Sequence, residues 1–239
     1  MRKALGVTGA AILVVLLGSP LTFAAGTATP VAPPSSVGLL VGLTALALLP
    51  AILLTLTAFP RIIVVLSILR TALGLPTTPP NAVLIGIALL LTGIVMQSTL
   101  TTVWHVAAAP AFAGHISWLA AARRAEGPWR AFLLAQTRPS DVAFFLHLTH
   151  TPPPARPAAV PFLPLAGAFL ISQLRLAFEI GIFLYLPFVV IDLVVSTVLM
   201  SMGMIMVPPT LISLPIKLLL FVLADGWVLV VQSLVQSFH

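Results

Sequence analysis

Four stretches of the chain are almost wholly apolar, and a wetter stretch divides them into two pairs. Residues 37–59 carry no charge. At 1.5 Å per residue a helix over them is about 35 Å long, enough to cross a bilayer. Pro50 predicts a kink or break inside the run, and Pro60-Arg61 closes it. Residues 61–81 read as a connection: they carry Arg70 and end in Leu75-Pro76-Thr77-Thr78-Pro79-Pro80-Asn81, a proline cluster that stops a helix and sets a turn. Residues 82–102 are again uncharged. The two runs predict a first helical hairpin within residues 37–104.

Residues 105–164 differ in character. They hold Arg123, Arg124, Glu126, Arg130, Arg138, Asp141, Arg156 and four of the five histidines. The spacing of Leu119, Ala122, Ala125, Trp129 and Phe132 predicts an amphipathic helix over 119–134. A second, shorter helix is expected over 142–148, capped by Ser140 or Asp141. Thr151-Pro152-Pro153-Pro154 then predicts an extended linker. Residues 165–239 read as a second hydrophobic hairpin. Its first run, 160–200, is about twice the length a bilayer needs, with a break expected at Pro187. Its last run, 211–235, contains Pro215, Lys217 and Asp225. Between them lies a methionine-rich turn, Met202-Gly203-Met204-Ile205-Met206-Val207-Pro208-Pro209.

The N-terminus reads as a processed segment. Arg2 and Lys3 precede an apolar stretch over 5–17, Gly18-Ser19-Pro20 breaks it, and Thr22-Phe23-Ala24 ends on a small residue. This is the pattern of a secretory signal peptide over residues 1–24, which leaves residues 25–36 as a flexible mature N-terminus.

Composition narrows the class. Of 239 residues, 60% are hydrophobic and 7% charged, and the mean hydropathy is +1.18. Soluble domains carry about 25% charged residues, so an ordinary soluble enzyme is excluded. Disorder is excluded too, since it needs the opposite bias. The pattern is that of an all-α membrane protein. The absence of cysteine removes disulfides, thiolate metal sites and cysteine nucleophiles. The net charge of +6 comes from 11 basic and 5 acidic residues, scattered singly except at Arg123-Arg124. No basic run is present to follow a phosphate backbone, so nucleic acid is not an expected partner. With the signal peptide removed, the mature N-terminus lies outside. The connection with Arg61 and Arg70 is then cytoplasmic, and the insert 105–164 periplasmic.

Five ionisable residues fall in the last two apolar runs: Arg175, Glu179, Asp192, Lys217 and Asp225. Each costs at least about 2.5 kcal/mol at the centre of a membrane helix, so each needs a partner. They are expected to be buried charge contacts between helices. Arg175 and Glu179, four residues apart, share a helix face and are expected to pair. Nothing points to catalysis, a cofactor or a metal. No nucleotide-binding glycine loop occurs, and His147 and His150, three apart, have no evident further ligands.

Several stretches together resemble one family. They are Pro50-Ala51-Ile52-Leu53-Leu54, the run FPRIIVVLSILRTAL from Phe59, and Pro79-Pro80-Asn81. The run RAFLLAQTR from Arg130, FVVIDLVVSTVLM from Phe188, MGMIMVPP from Met202 and LPIKLLLFVLADG from Leu214 complete the set. From about Leu46 to the C-terminus the chain is similar to the FliP/SctR family of type III secretion export-gate components, which has a flagellar and a virulence branch. A signal peptide and an extended N-terminus favour the flagellar branch. The resemblance implies kinked helical hairpins that assemble, in several copies with FliQ and FliR, into a pseudo-helical, cone-shaped gate in the bacterial inner membrane. It also implies FlhB and FlhA as further partners, FliO as an assembly factor, and translocating flagellar proteins as cargo.

In that setting the methionine turn is the candidate pore gasket. Methionine is unbranched, soft and adaptable, so Met202, Met204 and Met206 from several subunits would close a channel yet deform around a passing chain. Ile205 stands where the family often has methionine and would seal more stiffly, being β-branched. Gly203, Pro208 and Pro209 form the hinge. Alternatives from other classes are an ion channel or secondary transporter using Asp192, Lys217 and Asp225, and an assembly scaffold without a pore. A transporter would show matched internal repeats, and none is apparent.

The N-terminal reading has a direct check. Edman sequencing of protein purified from membranes is expected to begin at Ala25; a mature chain that begins at Met1 refutes the signal peptide.

Overall fold

A computed structural model of the chain describes residue 47 and residues 50–52, 54–204 and 206–238, all within one compact unit spanning residues 46–239. The expected signal peptide, the stretch 25–36 and Ile205 lie outside the described residues. Every regular element among the described residues is helical.

The helix at the centre of the fold is one the apolar pattern does not single out. Residues 56–58 form a bend, and α1 (Phe59–Ala72) starts anew after it. Pro60 therefore opens a helix rather than closing one, in the first-turn position where its missing N–H costs nothing. Ile62, Val65, Leu66, Leu69 and Ala72 repeat at helical spacing and are all buried. The expected connection over 61–81 is thus mostly core. Its two arginines suggest a solvated loop, but one of them is enclosed. Only residues 73–80 form the turn, where Arg70 donates to Asn81 Oδ1 at 2.7 Å.

After α2 (Asn81–Val95) the chain bends by 67° at Met96 and continues as α3 (Gln97–Val103), a π-turn (Trp104–Ala108) and α4 (Ala109–Phe112). Helix therefore runs eight residues into the expected insert, which holds α5 (Trp118–Ala135), α6 (Pro139–Leu148) and a short 3₁₀ turn (Pro157–Ala159). Ser117 caps α5 by accepting from the N–H of Ala120. The buried face of α5 is turned from the expected one. Ala121 and Leu133 are buried and Ala125, Trp129 and Phe132 half-buried, while Leu119 and Ala122 are exposed. In α6 the cap position is Arg138, without a side-chain bond, and Asp141 is drawn to another helix.

The 40-residue α7 (Phe162–Ser201) runs unbroken through Pro187, against the expected break. Proline removes one backbone donor, and the bonds on either side keep the helix continuous. α1 packs along α7, with α2 and α8 (Pro209–Leu223) beside them. At Gly181 a Cβ would come within 2.4 Å of Ile68 Cδ1, so the α1–α7 approach depends on the bare backbone there. The last element, α9 (Gly226–Gln236), meets α8 at a 66° bend. Among the described residues α7 is the single helix long and apolar enough to cross a membrane, and each bent pair can do so if counted as one span.

Arg61 ties these parts together. Its side chain is 0% exposed. Nε donates to Gln173 Oε1 at 2.8 Å, Nη2 to Gln136 Oε1 at 3.1 Å, and Nη1 to the carbonyl of Ser237 at 2.7 Å and its Oγ at 3.1 Å. The guanidinium carbon sits 3.6 Å from the Phe238 ring centroid. Gln136 Nε2 in turn donates to the Phe238 carbonyl, and Gln173 Nε2 to the Gln136 carbonyl. Burial lowers the arginine's pKa to about 10, so it stays cationic at neutral pH. These hydrogen-bond acceptors are neutral, and the first turn of α1 repels positive charge. The acceptors are what make the position tenable. The knot joins the first turn of α1, the end of α5, the first third of α7 and the C-terminal residues.

Arg61→Ala strands this set of buried acceptors and leaves a void, and is expected to destabilise by more than about 4 kcal/mol. Arg61→Lys should recover only part, because an ammonium cannot match the planar fork. Thermal unfolding in detergent checks the order wild type, Lys, Ala. An alanine variant that melts with the wild type rules out the knot as a structural requirement.

Candidate functional site

The methionine turn follows directly from how α7 ends. Met202 is the last half-helical residue, and Gly203 adopts φ +74°, the left-handed conformation that glycine alone takes freely. Gly203 N–H then bonds the Met200 carbonyl at 3.1 Å, and Met204 N–H the Leu199 carbonyl at 3.0 Å. This pair of bonds is a Schellman motif, which satisfies the last carbonyls of α7 and turns the chain sharply. Pro208 is the residue before α8 and Pro209 its first. The turn is thus closed at one end by a glycine and at the other by two prolines. Met202, just before the glycine, and Met204, just after it, are exposed, and Met206 is 96% exposed. The two ends of the turn are fixed while the methionine side chains are exposed.

Below the turn, Lys217 on α8 reaches Asp192 on α7, with Nζ 2.6 Å from Oδ2, and also donates to the carbonyl of Ala72 at 3.1 Å. That carbonyl is at the C-terminus of α1, where a cation is favoured by the helix dipole. One ammonium therefore joins three helices. Sequence spacing offered no way to pair Lys217 with Asp192, which lie 25 positions apart.

Arg175 and Glu179 do not pair with each other. Arg175 lies 3.2 Å from Asp141, and Glu179 takes Arg138 at 2.6 Å. Asp141 is buried and accepts from Ser172 Oγ at 2.6 Å, and Ser172 accepts from the N–H of Arg138. The insert presses α6 against α7, so partners from α6 displace the weak in-helix pair. Arg175 and Glu179 are half exposed rather than buried. Asp225 is exposed as well. It adopts φ +49° at the α8–α9 bend, and its carbonyl accepts from Val228 and Leu229, the first turn of α9. It is a junction residue, not a buried charge contact.

His147 lies in the last turn of α6 and His150 beyond it, both exposed. Among the described residues no group of three or more histidines and carboxylates could hold a metal. The residue that sequence reasoning passed over is Arg61. The available signal was a lone charge between Phe59-Pro60 and Ile62-Ile63-Val64-Val65, the same isolation that drew attention to Lys217.

Lys217→Met should cost about 2–3 kcal/mol, because it leaves Asp192 and the Ala72 carbonyl without their donor. A fully buried pair would cost more, but Asp192 is 38% exposed. The expected fall in Tm of the detergent-solubilised protein is about 5–10 °C. Lys217→Met with Asp192→Leu should regain much of it; a double variant no better than the single one counts against the pairing.

Comparison of the sequence with known proteins matches the chain to one family. The FliP family model matches residues 42–234. The flagellar biosynthetic protein FliP of Pectobacterium carotovorum is 52% identical over 204 residues, 85% of this chain and 79% of the relative. That of Caulobacter vibrioides is 49% identical over 84% of this chain and 76% of its own length. That of Bacillus subtilis is 46% identical over 85% and 92% respectively. The match takes in α1 with Arg61, the insert, the Asp192–Lys217 pair and the methionine turn, and the chain belongs to the FliP family, whose members are non-enzymatic proteins of flagellar biosynthesis.

Proposed function

We propose that this chain is a core subunit of the flagellar type III export gate. Several copies assemble with FliQ and FliR into a channel that passes unfolded flagellar subunits across the inner membrane at the basal body. FlhB and FlhA complete the apparatus, and FliO assists assembly. The flagellar relatives support the flagellar branch over the virulence one.

The observation that carries the reading is the methionine turn. Its backbone is closed by a Schellman motif and two prolines while Met202, Met204 and Met206 extend away from the fold. Side chains held in this way suit a constriction that must exclude water at rest and yield to varied cargo. The apolar outer faces of α7, α8 and α9, with Leu193, Leu219 and Leu223 exposed, suit a subunit covered by lipid and by neighbours. Lys217 is fastened to Asp192 Oδ2 and to the Ala72 carbonyl, which supports a bracing role, and Asp192 Oδ1 is buried without a hydrogen-bond partner among the described residues. The energy for export comes from other components of the apparatus.

Changing Met202, Met204 and Met206 together to alanine tests the gasket. Gly203, Pro208 and Pro209 remain, so assembly should proceed. The closed gate should leak, with a several-fold rise in ion conductance or small-molecule uptake in cells that are not exporting. Normal assembly with parental permeability would show that these methionines do not close the channel.

A further inference from the structure

The chain holds six methionines and no cysteine, so thioethers are its whole stock of sulfur. Four of the six fall at alternate positions within seven residues: Met200, Met202, Met204 and Met206. They are 64%, 67%, 39% and 96% exposed, whereas Met96, at the α2–α3 bend, is 1% exposed. Met1 belongs to the expected signal peptide, outside the described residues. Among the described residues the reachable sulfur is thus gathered at the end of α7 and in the turn that follows it.

An exposed thioether is open to oxygen transfer from a peroxide. A sulfur lone pair attacks one peroxide oxygen, and the S–O bond forms as the O–O bond breaks. The departing hydroxide takes the proton of the transferred oxygen and leaves as water. Sulfur loses two electrons and the peroxide gains them. The product, methionine sulfoxide, is polar where the thioether was apolar, and sulfoxide reductases reverse the change. The turn can take this change without unfolding. Its closing bonds run from the N–H groups of Gly203 and Met204 to the carbonyls of Met200 and Leu199, and Pro208 and Pro209 fix its other end. None of these contacts uses a thioether. Met96 is the methionine whose oxidation would place a polar group in the main apolar core, and it is screened.

From this clustering we propose that Met200, Met202, Met204 and Met206 form a sulfoxidation site for small peroxides, and that their oxidation makes the turn polar and opens the closed gate. The opening rests on the gate reading above; the modification site does not. An apolar constriction excludes ions because water does not wet it. Each sulfoxide oxygen accepts hydrogen bonds from water and lowers that barrier. Several copies bring several such sulfurs to one constriction, so oxidation of a fraction of them is felt. Hydrogen peroxide is small and uncharged, so it reaches the turn from the mouths of the channel. The turn thereby links the permeability of the gate to the oxidant level around it.

Membrane vesicles that carry the full chain assembled with its partners are treated with hydrogen peroxide and the reaction is stopped with catalase. Peptide mass spectrometry then reads sulfoxide at each methionine, and escape of a small trapped dye reads the leak. The four methionines of the turn should oxidise at least about tenfold faster than Met96, and the leak should rise several-fold as they do. Met200→Leu, Met202→Leu, Met204→Leu and Met206→Leu together remove the oxidisable sulfurs but keep the turn apolar, so peroxide should add no leak to that protein. Glutamine at the same four positions imitates the polarity of the sulfoxide and should leak without peroxide. Should either variant fail to assemble, the site-by-site oxidation and the leak of the unaltered chain still decide. Oxidation of Met96 as fast as the turn overturns the proposal. So does a fully oxidised turn with an unchanged leak, or a peroxide-dependent leak that the leucine variant retains. The alanine variant described above separates the two readings. If it leaks while the oxidised turn stays tight, the oxidation switch alone fails; if it assembles and stays tight, the gate reading fails and the switch with it.

Discussion

A cation enclosed beside an unfavourable helix end is the constraint around which the rest is arranged. Arg61 is in the first turn of α1, where the helix dipole opposes it, and its side chain is removed from water. Three residues from three other places in the chain, Gln136, Gln173 and Ser237, supply its hydrogen-bond acceptors, and Phe238 covers its face. Losing any one of these leaves a buried charge short of a partner, so the end of α5, the first third of α7 and the C-terminal residues hold their places together. At the opposite end of α1 the sign of the problem reverses. There Lys217 donates to the Ala72 carbonyl, where a cation is welcome. The central helix is thus fastened at both ends by positive side chains, one its own and one from α8.

This fastening bears on the candidate site. α7 is held at Gln173 by the arginine knot and at Asp192 by Lys217. Beyond Asp192 it runs on to Ser201, about 14 Å further, before the methionine turn. The turn is therefore carried on the free end of a braced helix. Its rigidity comes from the Schellman bonds and the prolines, and its adaptability from the thioethers. Polar groups that look costly in an apolar chain are accounted for in the same way. Arg61, Lys217 and Asp192 lie where helices meet, whereas Arg175, Glu179 and Asp225 are about half exposed or more.

The insert is less separate than its composition suggests. Asp141 and Arg138 of α6 meet Arg175, Ser172 and Glu179 of α7, and Trp129 of α5 donates to the Leu56 carbonyl. The charged residues of the wet stretch therefore act as connectors to the apolar helices. Arg123 and Arg124 are exposed and have no carboxylate partner among the described residues.

Sequence alone was enough to establish an all-helical fold with apolar runs of membrane-spanning length, the methionine turn with its glycine and proline ends, and the family. Each of these rests on composition or on residues within a few positions of one another, and local backbone preference acts over that range. Tertiary structure decided the rest. Arg61 and Arg70 made 61–81 resemble a connection, yet Arg61 finds its acceptors 112 and 176 positions away, so the segment became the core. Pro187 promised a break, but its neighbours sustain the helix. The i,i+4 spacing offered Arg175 to Glu179, and α6 supplied nearer carboxylate and guanidinium partners from across the fold. Local pattern shows that a charge in an apolar run needs a partner, but only the packing of helices distant in sequence determines which residue fills that place.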